Sequence, residues 1–129
     1  MKTLPQNTIL IVDDNSMCVS FLVNTLKGDY NLLIAKDGHK AINIAIKSLP
    51  DLILSDIDMP GMTGYELLST LKDIDATKNI STIFFTSRDR EEEKTKGLQL
   101  GAVDYIPKGT FASIVKDRVQ AQINRINMQ

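Results

Sequence analysis

The sequence predicts one α/β domain, a doubly wound parallel sheet built from five βα units. Three observations carry that expectation. Apolar, β-rich runs alternate with segments of helical spacing five times along the chain. The first, third and fourth runs are apolar without a polar alternation, as strands covered on both faces require. Strands alternating with helices pair in parallel through right-handed crossovers, which places helices on both sides of the sheet.

The strands are expected at Thr8 to Val12, Asn31 to Ala35, Asp51 to Ser55, Ile80 to Phe85 and Val103 to Ile106. In the first helical segment Cys18, Phe21, Leu22 and Leu26 fall on one face, Asp14 or Asn15 can cap its start, and Gly28 marks the stop. Cys18 is expected in the core. Ala41, Ile42, Ala45, Ile46 and Leu49 give a second apolar face ahead of Pro50. Thr63 and Glu66 form a capping box that opens a third helix through Leu67, Leu68 and Leu71. Ser87 or Asp89 is the expected cap of a charged fourth helix ending near Gly101, and Thr110 that of a fifth through Ile114, Val115, Val119 and Ile123. The flavodoxin-like sheet order 2-1-3-4-5 is taken over from five-unit sheets in general; it puts a ligand crevice beyond the ends of the first and third strands.

At 129 residues and 14.3 kDa the chain has room for one domain with a core of its own. We read residues 1–7 as an N-terminal extension, 8–125 as the domain, and 126–129 as the end of the fifth helix or the start of a linker. A net charge of -1 and a pI near 5.8 give no basic stripe for nucleic acid. The single Cys18 precludes an internal disulfide, and no segment reads as a signal peptide or membrane span, so a cytoplasmic location is expected.

The chemistry gathers at the run ends: Asp13 and Asp14 after the first, Asp56 after the third, Thr86 after the fourth and Lys108 after the fifth. Carboxylates sharing a crevice repel unless a cation neutralises them. Oxygen ligands with no His or Cys alongside suit a hard ion, and Mg²⁺ takes one or two carboxylates together with water and phosphate oxygen. Asp14 and Asp56 are the expected direct ligands, with Asp13 holding metal-bound water and the Asp58 backbone carbonyl completing the protein's share. A Lys108 ammonium and a Thr86 hydroxyl would then stabilise a phosphoryl group, and Asp56 is a competent nucleophile for its transfer. Taken singly, each residue has a plainer explanation: loop carboxylates, a strand-end threonine, a solvated lysine.

The acidic pair in ILIVDDNS, the segment DLILSDIDMPGMTGYELL around Asp56, IFFTS around Thr86 and GAVDYIPK ending at Lys108 together resemble the receiver domain of two-component response regulators. The resemblance runs from Thr8 to about Arg125. It implies that Asp56 accepts a phosphoryl group from the phosphohistidine of a histidine kinase or phosphotransfer protein, with Mg²⁺ in the acidic pocket. It also implies that Thr86 and Tyr105 then move, remodelling the surface of the fourth helix, fifth strand and fifth helix, a surface open to homodimerisation. Such a domain is a regulatory phosphoacceptor with at most slow self-dephosphorylation, not an enzyme.

One departure stands out: the family has proline after the lysine, whereas here Pro107 precedes Lys108 and Gly109 follows. The non-prolyl Lys108–Gly109 bond is expected trans, and Pro107 is tolerable on an edge strand. Asp58 and Arg88 are expected to pair across the pocket mouth, screening the phosphoryl group from water. His39 reads as a surface or capping residue, not a phosphate carrier, and Glu91 to Glu93 as a solvated first turn. Three rival functions remain. Asp56, Ile57, Asp58 also resembles the Asp-x-Asp of haloacid-dehalogenase-type phosphatases, although there the motif closes a first strand. A flavin carrier would want phosphate donors where Asp13 and Asp14 stand. The third rival is a receiver-like interaction module that never takes phosphate.

Overall fold

A computed structural model describes residues 6–88 and 90–129. Five strands, β1 (Thr8–Val12), β2 (Asn31–Ala35), β3 (Leu52–Ser55), β4 (Ser81–Thr86) and β5 (Asp104–Pro107), alternate with five helices. The helices are α1 (Ser16–Leu26), α2 (Gly38–Ser48), α3 (Gly64–Lys72), α4 (Glu91–Gln99) and α5 (Ala112–Asn127). All strand pairs are parallel, in the order β2-β1-β3-β4-β5. The predicted strands β1 and β2 match residue for residue, and the other three begin one residue later than expected. Asp51 precedes β3 but already engages β1, its N–H donating to Thr8 O and its carboxylate accepting the Thr8 N–H, both at 2.8 Å.

Successive strand side chains point to opposite faces, and here both faces are buried. Ile9, Ile11, Leu52, Leu54, Ile83, Phe85 and Ile106 face Leu22 and Leu26 of α1 and Val115, Val119 and Ile123 of α5. Leu10, Val12 and Ile53 face Ala41 and Ala45 of α2 and Leu67 and Leu71 of α3. A third cluster joins Tyr65 and Leu68 of α3 to Phe84 and Tyr105 beside α4. This two-sided burial is why the runs in β1, β3 and β4 carry no polar alternation. Pro107 pairs with Thr86 on edge strand β5, as expected, and the described residues contain no cis peptide. Among those residues no helix is long and apolar enough to cross a membrane.

The helix starts only partly follow the sequence. Asn15 caps α1, accepting from Met17 N and Cys18 N, and the Thr63–Glu66 capping box opens α3 as expected. Thr110 does not cap α5: its hydroxyl donates to Pro107 O at 2.6 Å, and Phe111 takes the cap position with no side-chain bond. Ser87 does not cap α4 either, since the helix starts after Arg90; the other expected cap, Asp89, lies outside the described residues. In α2 the buried stripe is Ala41 and Ala45 flanked by Ile42 and Ile44, while Ile46 and Leu49 are exposed. Leu49 is not on the helix face at all, because it ends α2 in the left-handed conformation at φ 46°. Cys18 is half-buried, not core, because it lines a groove with Phe21, Phe85 and Phe111.

Gly64, the first residue of α3, fixes how closely that helix approaches the end of β3. A Cβ there would collide with the Asp56 carbonyl oxygen and come within 2.9 Å of Ile57 Cα. Both are backbone atoms, so neither can rotate away. Gly64→Ala is expected to lower stability by about 1–3 kcal/mol, the usual range for overpacking, measured as a reduced urea midpoint with an unchanged slope.

Candidate functional site

The parallel sheet aims every strand's carboxyl end at one rim, and β1 lies between β2 and β3, where the connections leave in opposite directions. Asp13 follows β1 directly. Its N–H continues the ladder to Ala35 O at 3.1 Å, and its Oδ1 accepts the Asn15 N–H at 2.9 Å. Asp56 follows β3, with its N–H bonded to Val12 O at 2.9 Å and its Oδ1 accepting the Ile57 N–H at 2.7 Å. Both carboxylates are thus fixed by backbone, and both are buried, at 1% and 6% exposure. Asp14 is exposed, yet the three present carboxylate oxygens within 4.8 Å of one another.

Lys108 reaches this cluster from the far edge of the sheet. Its N–H bonds to Thr86 O at 2.8 Å, extending the β4–β5 ladder by one rung past Pro107. Its ammonium lies 3.0 Å from Asp56 Oδ2 and 3.0 Å from Asp13 Oδ2. The displaced proline therefore leaves the lysine's reach intact. Burial works against the Lys108 charge, but the hydrogen bond to Asp56 and the pairing with Asp13 outweigh it and raise its pKa. Burial also pushes the Asp13 pKa up, against the lowering effect of the Asn15 N–H and of Lys108.

The contact of Lys108 with Asp13 Oδ2 is a charge pairing, and among the described residues that buried oxygen receives no aligned hydrogen bond. Three carboxylates facing one ammonium leave negative charge uncompensated, and a buried acceptor without a donor is costly. An oxygen-only donor set with a spare lone pair fits a hard divalent cation such as Mg²⁺.

Residues 9–120 match the family described as the response regulator receiver domain. The chain belongs to that family. It is 37% identical over 123 residues to a probable cyclic di-GMP phosphodiesterase of Vibrio cholerae, covering 95% of this chain and 28% of that protein. It is 44% identical over 103 residues to histidine kinase P4 of Formosa agariphila, covering 80% of this chain and 8% of that one. A crystal structure of a putative response regulator from Chloroflexus aurantiacus superposes with a TM-score of 0.87 at 29% identity, covering 92% of this chain and 98% of that chain. The chain spans only a small part of the two longer relatives, whose named activities are those of the larger proteins. Receiver domains are regulatory phosphoacceptors that interact with histidine kinases or phosphotransfer proteins and generally bind Mg²⁺ in an acidic pocket.

Around the receiver pocket the structure joins residues that the sequence kept apart. Thr86 is fully buried at the end of β4, and its hydroxyl oxygen accepts the Arg88 N–H at 3.4 Å. Arg88 forks onto Asp58, from Nη2 to Oδ1 at 2.6 Å and from Nε to Oδ2 at 2.9 Å, which lowers the Asp58 pKa. The expected Asp58–Arg88 pair is present. Tyr105 is 2% exposed, turned inward beside Phe84, with its hydroxyl donating to the Arg88 carbonyl. His39 is exposed, as read.

Glu91 and Glu92 are exposed, as read, but Glu93 departs from the reading of that first turn as solvated. Its Oε1 receives Arg88 Nη1 at 3.1 Å and its Oε2 receives the Tyr65 hydroxyl at 2.6 Å. Tyr65 looks in sequence like one more apolar residue of α3, and nothing in local spacing could pair it with a glutamate 28 positions away.

The Tyr65 hydrogen bond is the main cause of a lowered Glu93 pKa, with Arg88 adding to it. A carboxylate depressed on folding contributes stability above its unfolded pKa and loses it as pH falls through the folded value. Tyr65→Phe should therefore move the Glu93 carboxyl titration, followed by NMR, back up toward the ordinary glutamate range. The stability difference between this variant and wild type should also narrow as the solution is acidified through that window.

Proposed function

We propose that Asp56 is the phosphoacceptor of this receiver, and that Asp13, Asp14, Asp56 and the Asp58 backbone carbonyl hold Mg²⁺ beside it. The observation that carries the reading is the Lys108 ammonium held between the Asp56 and Asp13 carboxylates at the rim of strand ends. In transfer from a phosphohistidine, an Asp56 carboxylate oxygen forms a P–O bond as the P–N bond breaks, and the electron pair leaves with the imidazole. The metal ion, when bound, neutralises charge on the transferring phosphoryl oxygens. Ile57 N–H fixes one Asp56 oxygen, which directs the carboxylate. Lys108 then serves the phosphoryl group as the point charge it now offers the acids.

Thr86 supplies the sensing hydroxyl: it accepts from Arg88 N–H and keeps its own proton for a phosphoryl oxygen. Tyr105, whose hydroxyl donates to the Arg88 carbonyl, is the aromatic partner of the switch. Phosphorylation then acts as local charge that biases a bistable element, the surface of α4, β5 and α5. Leu98 and Val103 are exposed on that side and support homodimerisation through it. The Arg88–Asp58 fork covers the pocket mouth and slows attack by water, so that self-dephosphorylation is slow and there is no steady turnover. The receiver unit spans residues 8–125, after an extension at 1–7, and 126–129 finish α5 or begin a linker. It works in the cytoplasm with a histidine kinase or phosphotransfer protein as its phosphodonor, and its charge disfavours direct contact with nucleic acid.

Acetyl phosphate with Mg²⁺ should add one phosphoryl mass to the intact protein. Asp56→Asn, or omission of Mg²⁺, should abolish the gain; undiminished labelling of Asp56→Asn would place the acceptor elsewhere. In a separate thermal titration, Mg²⁺ alone should raise the unfolding midpoint of wild type with increasing concentration, as expected of a ligand that binds only the folded state. Asp14→Asn should lose most of that rise while unfolding cooperatively at its own midpoint.

A further inference from the structure

α4 is the least anchored of the helices. Among its residues only Gly97 is buried, and its first turn has no side-chain cap. Gly97 lies against Phe84 and Tyr105, where even a Cβ would sit 3.0 Å from the Phe84 ring. At the other end the helix is tied down by Glu93, which spends its two carboxylate oxygens on different elements. Oε2 takes the hydroxyl of Tyr65, whose ring is locked edge-on against Phe84 at 5.5 Å, and Oε1 takes Arg88. Lys96, one turn along α4, sits over the same Tyr65 ring at 4.4 Å.

Arg88 in turn has its other edge on Asp58, two residues beyond Asp56, and its carbonyl under the Tyr105 hydroxyl. An arginine fork held by a single exposed carboxylate would be poorly ordered. A second carboxylate at right register, itself held by a core tyrosine, fixes the guanidinium plane.

We infer that Glu93 is a positioning residue for Arg88, and that the chain Tyr65–Glu93–Arg88–Asp58 makes the lifetime of the phosphoryl group on Asp56 depend on whether α4 is seated. When α4 lifts, Glu93 leaves, the guanidinium loses one of its two supports, and water gains access to the pocket mouth. A partner that grips seated α4 therefore keeps the guanidinium supported and prolongs the phosphorylated state, and one that draws α4 away shortens it. This inference rests on Asp56 being the acceptor.

The test compares phosphoryl loss after removal of acetyl phosphate, in Mg²⁺ buffer, for wild type, Glu93→Ala, Arg88→Ala, the double variant and the exposed neighbour control Glu92→Ala. Glu93→Ala and Arg88→Ala are each expected to shorten the lifetime by about fivefold, equivalent to about 1 kcal/mol off the hydrolysis barrier. The double variant should lose no more than the worse single one, and Glu92→Ala should match wild type. With 3-fluorotyrosine in the three tyrosine positions, Glu93→Ala should shift the Tyr65 and Tyr105 resonances and leave that of Tyr30 in place. Normal phosphorylation with an unchanged Glu93→Ala lifetime, or fully multiplicative effects in the double variant, would overturn the inference while leaving the acceptor assignment standing. Failure of wild type to take up phosphoryl would overturn both.

Discussion

Two carboxylates buried at adjacent strand ends are the constraint around which the molecule is arranged. Asp13 and Asp56 are each held by backbone N–H groups that belong to the sheet and its first turns. Neither carboxylate can swing out to water without giving up the N–H of the turn that follows its strand, so their charge must be answered where it stands. Lys108 answers part of it, and can do so only because β3, β4 and β5 are in register and the ladder continues one rung beyond Pro107. The same sheet that generates the electrostatic problem delivers its counter-charge. The remainder of the negative charge is what suits the crevice to a divalent ion and a phosphoryl group.

The contrast between the two sides of the pocket bears on signalling. Toward α1 and α5 the sheet is closed by a continuous apolar cluster from Ile9 to Ile123, which gives a rigid base. Toward α4 the cover among the described residues rests on Gly97 as the one buried helix residue, a carboxylate bridging Tyr65 and Arg88, and a lysine over an aromatic ring. An element held by so few interactions has a small gap between its seated and lifted states. Each of those contacts touches Phe84, Tyr105, Tyr65 or Arg88, and Arg88 also touches the pocket. A change of charge at Asp56 therefore has a short physical route to a weakly held surface.

The architecture was legible because burial on two faces leaves a local mark: Ile9 to Val12 and Leu52 to Leu54 are short apolar runs without polar alternation, as strands covered above and below require. The capping box at Thr63 was legible for the same reason, its partners being three residues apart. The caps expected at Ser87 and Thr110 failed because a hydroxyl near a helix start has competing local acceptors, as Thr110 shows by bonding Pro107 O. Leu49 looked like part of an apolar face and is instead the left-handed end of α2, a distinction that apolar spacing does not encode. The acids, Thr86 and Lys108 were recognisable from their positions at run ends, whereas the part played by Glu93 was not.

By itself the sequence determined the strands and helices, the family, and which polar residues arrive at the carboxyl rim, because alternation, capping and run ends are properties of neighbours along the chain. Only the tertiary structure decided how those residues meet. The approach of Lys108 to two acids at once, the unsatisfied oxygen of Asp13 and the bridge from Tyr65 through Glu93 and Arg88 to Asp58 all join elements distant in sequence. Such distances depend on sheet register and helix seating, which are set by the packing of the whole core and not by any local pattern.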